Sequence, residues 1–189
     1  MRIIAGTFRS RPLQAPPGLA TRPTTDRLRE TLFNVLAPRI KGAAFLDLYA
    51  GSGAVGLEAI SRGAAHVTFL ERAPAALKVL RANLSSLALT TGFKIHETSV
   101  TQFLRKPPGA LFNLVFLDPP FNQGLVTPFC RLLELQHCLH AGSQVYIETE
   151  LGWQDLQLPP AFVLYRETKA GVVHSFLTRY EPVDPPSAA

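Results

Sequence analysis

The chain has 189 residues, 47% of them hydrophobic, and a net charge of +5. That length accommodates one domain with a full core and a small appendage, and no apolar run reaches the ~18–20 residues of a membrane span. The basic surplus is local: residues 1–41 hold eight Lys and Arg (Arg2, Arg9, Arg11, Arg22, Arg27, Arg29, Arg39, Lys41) against Asp26 and Glu30, and the rest of the chain holds eleven basic against twelve acidic residues. Charge gathered in this way points to a polyanionic partner, and arginine in particular forks onto phosphate.

In chain order, Arg2 to Phe8 has strand character and Arg9 to Leu13 returns as a second short strand, so a small N-terminal β-hairpin is expected. Pro16-Pro17-Gly18 ends regular structure. A helix then opens with Thr24, Thr25 or Asp26 as N-cap. Leu28, Leu32, Phe33, Val35 and Leu36 form its apolar face, Arg27, Arg29, Glu30 and Asn34 lie mostly elsewhere, and Pro38 ends it. From residue 45 the pattern alternates: strand 45–49, helix 53–62 stopped by Gly63, strand 66–71, and a helix from Pro74 at N1 to about Leu87. A short strand 93–95, a short helix 100–105, strand 112–117, helix 124–138 and, after Gly142, strand 143–149 follow. Strands 162–168 and 172–180 flank Lys169-Ala170-Gly171, a hairpin signal. The expected fold is α/β: a sheet of seven mostly parallel strands, one of them antiparallel, with helices on both faces and a small N-terminal hairpin and helix extension. Residues 1–41 read as a basic arm and helix, 42–181 as the catalytic domain and 182–189 as a frayed tail.

Two stretches carry chemistry. The first is Phe45-Leu46-Asp47-Leu48-Tyr49-Ala50-Gly51-Ser52-Gly53-Ala54-Val55-Gly56, a buried strand, a tight glycine turn and a helix start. Gly51-x-Gly53-x-x-Gly56 fits the dinucleotide-type pattern, in which glycines let a ligand approach the backbone. Asp47 lies inside the strand, where a carboxylate is costly unless bonded. It either holds the glycine loop or accepts a bond from a cationic or hydroxylated ligand. Glu71 ends the next apolar run, 18 residues past Gly53, near the spacing at which an acid meets a ribose diol. The ligand is therefore a nucleoside derivative, either a nicotinamide dinucleotide or a sulfonium nucleoside.

The second stretch is Leu114-Val115-Phe116-Leu117-Asp118-Pro119-Pro120-Phe121. Consecutive prolines remove two backbone donors and fix φ, so the carbonyls before and between them form a rigid array. Asp118 adds a carboxylate and Phe121 a flat face. Two acceptors and a ring suit a planar base bearing an exocyclic amine. Acceptors on the amine hydrogens favour a pyramidal nitrogen and free its lone pair to attack.

Asp47, the glycine loop, Glu71 and Asp118-Pro119-Pro120-Phe121 together resemble the class I S-adenosylmethionine-dependent amino-methyltransferases. Arg22-Pro23-Thr24-Thr25-Asp26-Arg27-Leu28-Arg29-Glu30-Thr31-Leu32-Phe33-Asn34 narrows the likeness. It is similar to the N-terminal signature of the small-subunit family D enzymes, the bacterial 16S rRNA guanine-N2 methyltransferases, in which the two other motifs follow in the same order. The resemblance covers about residues 1–180. It implies a Rossmann-like class I fold and S-adenosyl-L-methionine as cofactor, contacted by Asp47, Ala50, Gly51, Ser52, Gly53, Glu71, Arg72, Ser99, Val100 and Asp118. Glu71 meets the ribose hydroxyls and residues 22–34 close over the cofactor. Glu97 comes early for an acid that meets adenine, which leaves Ser99 and the backbone around Val100. Asp118, Pro119, Pro120 and Phe121 are the catalytic base pocket, and Arg2, Arg9, Arg11, Arg22, Arg27 and Arg29 the RNA contacts. The implied partner is 16S rRNA in an assembling 30S particle, met by a single copy of the chain.

A DNA adenine-N6 methyltransferase shares the Asp-Pro-Pro-aromatic logic but needs a recognition domain for which the chain has little room. The Asp118 loop does not suit an NAD-dependent dehydrogenase, and a non-catalytic RNA-binding module has no use for Asp118. Cys130 and Cys138 cannot form a metal site or a disulfide framework, so no metal is expected. With no signal-peptide layout at Met1 to Gly6, the setting expected is cytoplasmic.

Overall fold

Apolar strands covered on both faces organise the first half of the chain. In the computed structural model, which describes residues 1–15, 26–107 and 109–182 with side chains from Arg29 onward in the first helix, the chain divides into two compact units, Met1–Phe103 and Leu104–Ala189. In the first unit β1 (Ala44–Asp47), β2 (His66–Glu71) and β3 (Phe93–Glu97) pair in parallel, in the order β3-β2-β1. Phe45, Leu46, Phe69 and Leu70 are buried in it, as parallel strands between helices require. The helices are α1 (Asp26–Ile40), α2 (Ala54–Ser61), α3 (Pro74–Ser86) and the short α4 (Val100–Leu104). Phe33 of α1 stacks on Phe45, ring centroids 6.4 Å apart.

Three sequence expectations shift in this unit. Helix α1 does not stop at Pro38, which lies inside it. The proline costs one donor and crowds the carbonyl four residues back, but continuing buries Ile40, and the stop comes at Gly42 with φ +77°. Strand β1 ends at Asp47 rather than Tyr49, because beyond Asp47 paired with Phe69 the chain turns, and Ala50 N–H reaches Leu70 O at 3.0 Å. The N-terminal β-hairpin forms but is shorter than strands 2–8 and 9–13: the antiparallel bridge of Arg2 with Pro12 is flanked by Ile3 N–H to Arg11 O at 3.0 Å, Ser10 N–H to Ile3 O at 2.8 Å and Leu13 N–H to Met1 O at 3.0 Å.

Other donors of the same segment go to α2. Ile4 N–H and Ala5 N–H donate to the carboxylate of Glu58 at 2.7 and 3.0 Å. Thr7 N–H donates to Ser61 O at 2.8 Å and Phe8 N–H to Ser61 Oγ at 2.9 Å. Glu58 is fully buried and also paired with Arg62 at 2.6 Å, so the carboxylate's burial cost is met by three donors.

The second unit holds β4 (Phe112–Leu117), α5 (Val126–Leu135), β5 (Leu139–Thr149), a 3-10 turn at Trp153–Asp155, β6 (Phe162–Ala170) and β7 (Val173–Tyr180), with strand order β4-β5-β7-β6. β4 and β5 are parallel, and β7 runs antiparallel to both β5 and β6, so of this unit's four strands β7 is the reversed one. Helix α5 ends short of 138 because His137 takes φ +50°. Strand β5 starts before 143 because the chain re-enters the ladder at Leu139, opposite Phe112, and slips register around Gly142.

Candidate active site

In the first unit the glycine turn and three polar side chains build one cradle. Gly53 caps α2 with φ +80°, and a Cβ there would lie 2.3 Å from Leu80 Cδ1, so both backbone and space require glycine. Gly56 serves packing: a Cβ would lie 2.2 Å from the Phe69 ring, which lets helix α2 close on β2, the third-glycine role of the dinucleotide pattern. Above Gly51 a Cβ would meet nothing within 4 Å, so the loop's outer face is open to a ligand.

Asp47, 1% exposed, accepts Gly56 N–H at Oδ2, 3.1 Å. Of the two roles its burial allowed, it demonstrably fills the structural one, satisfying an orphan donor of the helix start from the preceding strand. Glu71 is similarly engaged. Its Oε2 accepts Gly51 N–H at 2.9 Å, and its Oε1 accepts Arg72 N–H and Ala73 N–H, both at 2.8 Å. A carboxylate has about four lone-pair sites, so three internal bonds leave capacity for a hydroxyl while fixing the carboxylate's direction.

Asn83, which no sequence pattern singles out, completes the cradle. It is 1% exposed on α3. Its Nδ2 donates to Ser52 O at 2.9 Å and Gln14 O at 3.1 Å, and its Oδ1 accepts Gln14 N–H at 2.8 Å. One amide thus ties the glycine loop to the N-terminal segment. Ser99 is the N-cap of α4, its Oγ accepting Gln102 N–H at 3.2 Å, and Val100 is buried. Ala50 is buried too, and Arg72 is exposed beside Glu71.

The basic arm is only partly a surface. Arg2, Arg9 and Arg11 are exposed, and Arg11 Nη2 donates to Ser86 O at 2.7 Å. Arg22 and the Arg27 side chain lie outside the described residues, as do residues 22–25 and the side chains of 26–28 in the segment expected to close over the cofactor. Arg29 is not a phosphate contact. It is 0% exposed, and its guanidinium donates to Arg2 O at 2.7 Å and Ala54 O at 3.4 Å. A buried guanidinium needs such acceptors, and here they join the arm to the first residue of α2.

In the second unit the Asp118 loop leaves β4 at Leu117, with Asp118 and Phe121 half-buried, Pro119 buried and Pro120 exposed. The loop turns at Asn122, φ +59°, whose N–H donates to Glu150 Oε1 at 2.8 Å. Glu150, just past β5, thereby fastens the loop from outside; like Asn83 it is a long-range contact with no local sequence signal. A small cavity behind the loop is lined by Pro119, Pro120, Val126, Thr149, Glu150 and Leu156. Phe116 stacks on Tyr146 at 5.4 Å, and the Tyr146 hydroxyl shares hydrogen bonds with Glu148 and Ser175. Burial first, then the negative charge of Glu148 and, last, that of Asp118, push the Tyr146 phenol well above its ordinary value. It stays a neutral donor at working pH. Burial likewise raises Cys138 to about 12 and Cys130 further, so neither thiol is a nucleophile at neutral pH. Among the described residues no group of three or more His, Cys, Asp or Glu could hold a metal ion.

No helix among the described residues is long and apolar enough to cross a membrane. The family model described as Conserved hypothetical protein 95 matches residues 1–179. Ribosomal RNA small subunit methyltransferase D of Escherichia coli K12 is 42% identical over 173 residues, covering 92% of this chain and 86% of that one. The protein of the same name from Haemophilus influenzae is 39% identical, covering 92% and 90%. The solved structure of yhhF from Escherichia coli superposes with a TM-score of 0.88 at 42% identity, covering 96% of this chain and 98% of that one. That agreement fixes the fold as the Rossmann-like class I methyltransferase fold. With model and relatives each spanning nearly its whole length, the chain belongs to the Conserved hypothetical protein 95 family, the family of the small-subunit ribosomal RNA methyltransferases D.

Proposed function

We propose that this protein methylates the exocyclic N2 amine of a guanine in 16S rRNA, with S-adenosylmethionine as methyl donor. The observation that carries the reading is the Asp118-Pro119-Pro120-Phe121 loop, on a buried strand and fastened by Glu150, in a chain whose relatives are named rRNA methyltransferases. The cradle suits the cofactor: an open face over Gly51, fixed backbone around Gly51–Gly53, and a Glu71 carboxylate with capacity for a ribose hydroxyl. When bound, the cofactor supplies a methyl group on a sulfonium sulfur.

The chain's own part is positioning and charge. The guanine is taken out of its stack, as chemistry on base atoms commonly requires, and rests on Phe121. The Asp118 carboxylate and the Pro119 carbonyl accept hydrogen bonds from the two N2 hydrogens, directing the nitrogen lone pair away from them. As the N2–methyl bond forms and the carbon–sulfur bond breaks, positive charge grows on nitrogen, and Asp118 stabilises it. The nitrogen then gives up one proton, toward Asp118. Holding both reactants in one orientation supplies much of the rate. The substrate is rRNA in an assembling 30S particle, met by one copy of the protein in the cytoplasm.

The test is transfer of a labelled methyl group to 16S rRNA, naked and in 30S particles, with mapping of the modified base. N2-methylguanine at one position is expected. Label on DNA adenine, or none on RNA, overturns the reading.

A further inference from the structure

Outside residues 1–41 the acids outnumber the bases by one, which hides a local gathering of cations. Arg72, Lys78 and Arg81 line one groove with Pro74, Leu77 and Glu97, along the outer side of α3 and the end of β3. All three cations are exposed. Lys78 and Arg81 are three apart on the helix and so point the same way, and Arg72 precedes its first turn. Arg81 is paired with the single acid of the lining, Glu97. That pair occupies one side of a five-donor guanidinium and holds it in place. Among the described residues neither Arg72 nor Lys78 is in an ion pair, so the groove keeps a net charge of about +2 by that count. None of Asp47, Gly51, Ser52, Gly53 or Glu71 lines it; it meets the cradle only at Arg72, whose N–H Glu71 accepts, while Lys78 and Arg81 lie beyond the cradle. The same helix also holds the arm, through Arg11 on Ser86 O and Gln14 on Asn83, so both cationic surfaces are mounted on α3.

We infer that this groove is a second RNA-backbone site, in which Lys78 and Arg81 contact phosphates of the substrate outside the arm. Phosphate is the ligand that suits it: two exposed cationic heads, one of them a fork already aimed by a carboxylate, above an apolar floor of Pro74 and Leu77. The inference rests on the rRNA reading above. Its contribution is affinity and register rather than chemistry, so it acts on KM and leaves kcat alone.

The test compares Lys78→Gln with Arg81→Gln, as one double variant, against Arg166→Gln with Lys169→Gln. The second pair removes the same charge from exposed positions on β6. Binding of full-length 16S rRNA transcript is measured from about 50 to 200 mM salt. Two lost phosphate contacts lower the salt slope by roughly one to two, so the groove variant loses about tenfold less affinity than the unmodified protein over that interval. The KM for rRNA should rise while kcat and the cofactor Kd stay put. Lys78→Arg with Arg81→Lys, which keeps the charge, should retain the slope. An unchanged slope in the groove variant, an equal change in the β6 variant, or a fall in kcat at constant KM overturns the inference. Methylation of rRNA by the unmodified protein is scored in parallel, so loss of the enzymatic reading is told apart from loss of the groove.

Discussion

In the cradle, the acids proposed to meet a ligand also hold the backbone. Asp47 takes Gly56 N–H, and Glu71 takes Gly51, Arg72 and Ala73 N–H. In the Asp118 loop the tasks are divided: prolines set the carbonyls, Glu150 holds the turn at Asn122, and the proposed reaction gives the chemistry to Asp118. A substitution in the cradle therefore mixes binding with local stability. A substitution in the loop separates positioning from catalysis.

The largest effect expected is at Asp118. Asp118→Ala should lower single-turnover methylation of 16S rRNA by roughly two to three decades, about 3–4 kcal/mol of transition-state stabilisation, and barely change cofactor affinity. Near-normal rates would remove Asp118 from the reaction and end the contrast between the regions. Next is Gly53→Ala, where a positive φ and a Cβ 2.3 Å from Leu80 Cδ1 combine strain with overpacking. It should lower stability to urea by about 3 kcal/mol and weaken cofactor binding with it; a midpoint unchanged from the unmodified protein would show the turn to be compliant.

Glu71→Ala should cost ~1.5–3 kcal/mol in cofactor binding, about one to two decades by calorimetry. Because Glu71 also accepts three backbone donors, amide exchange at Gly51, Arg72 and Ala73 should speed up even without cofactor. Unaltered exchange would mean that ligand contact is its whole contribution. The smallest effect belongs to Glu150→Ala, with a loss of about 1 kcal/mol, roughly fivefold in kcat, and cofactor affinity intact. Glu150→Gln, which keeps an acceptor for Asn122 N–H, should recover most of it. Failure of that recovery would assign Glu150 a role beyond holding the loop.

Local signals were legible. A glycine between an apolar strand and a helix, an acid closing the next strand, and an Asp-Pro-Pro turn each announce themselves within a few residues, and the alternation of elements led to the right strand count and to one antiparallel strand, without saying which. Contacts spanning many residues were not. Asn83 in α3 and Glu58 in α2 have no pattern that names a partner in the N-terminal segment. Counting charges treats each arginine as surface, yet Arg29 is sealed between Arg2 O and Ala54 O. The hairpin of residues 2–13 was legible from its composition, but its anchoring was not. Ile4 and Ala5 N–H go to a helix side chain that only the tertiary fold supplies.

That anchoring has a consequence for the order of folding. Ile4 and Ala5 await Glu58, 54 and 53 positions later, Gln14 awaits Asn83, 69 later, and Arg11 awaits Ser86, 75 later. Contacts so distant in sequence form after local helices, because their loops must close first. Residues 4–14 are thus among the last of their unit to be fastened, and until α3 is in place the exposed Arg2, Arg9 and Arg11 ride on an untethered cationic segment.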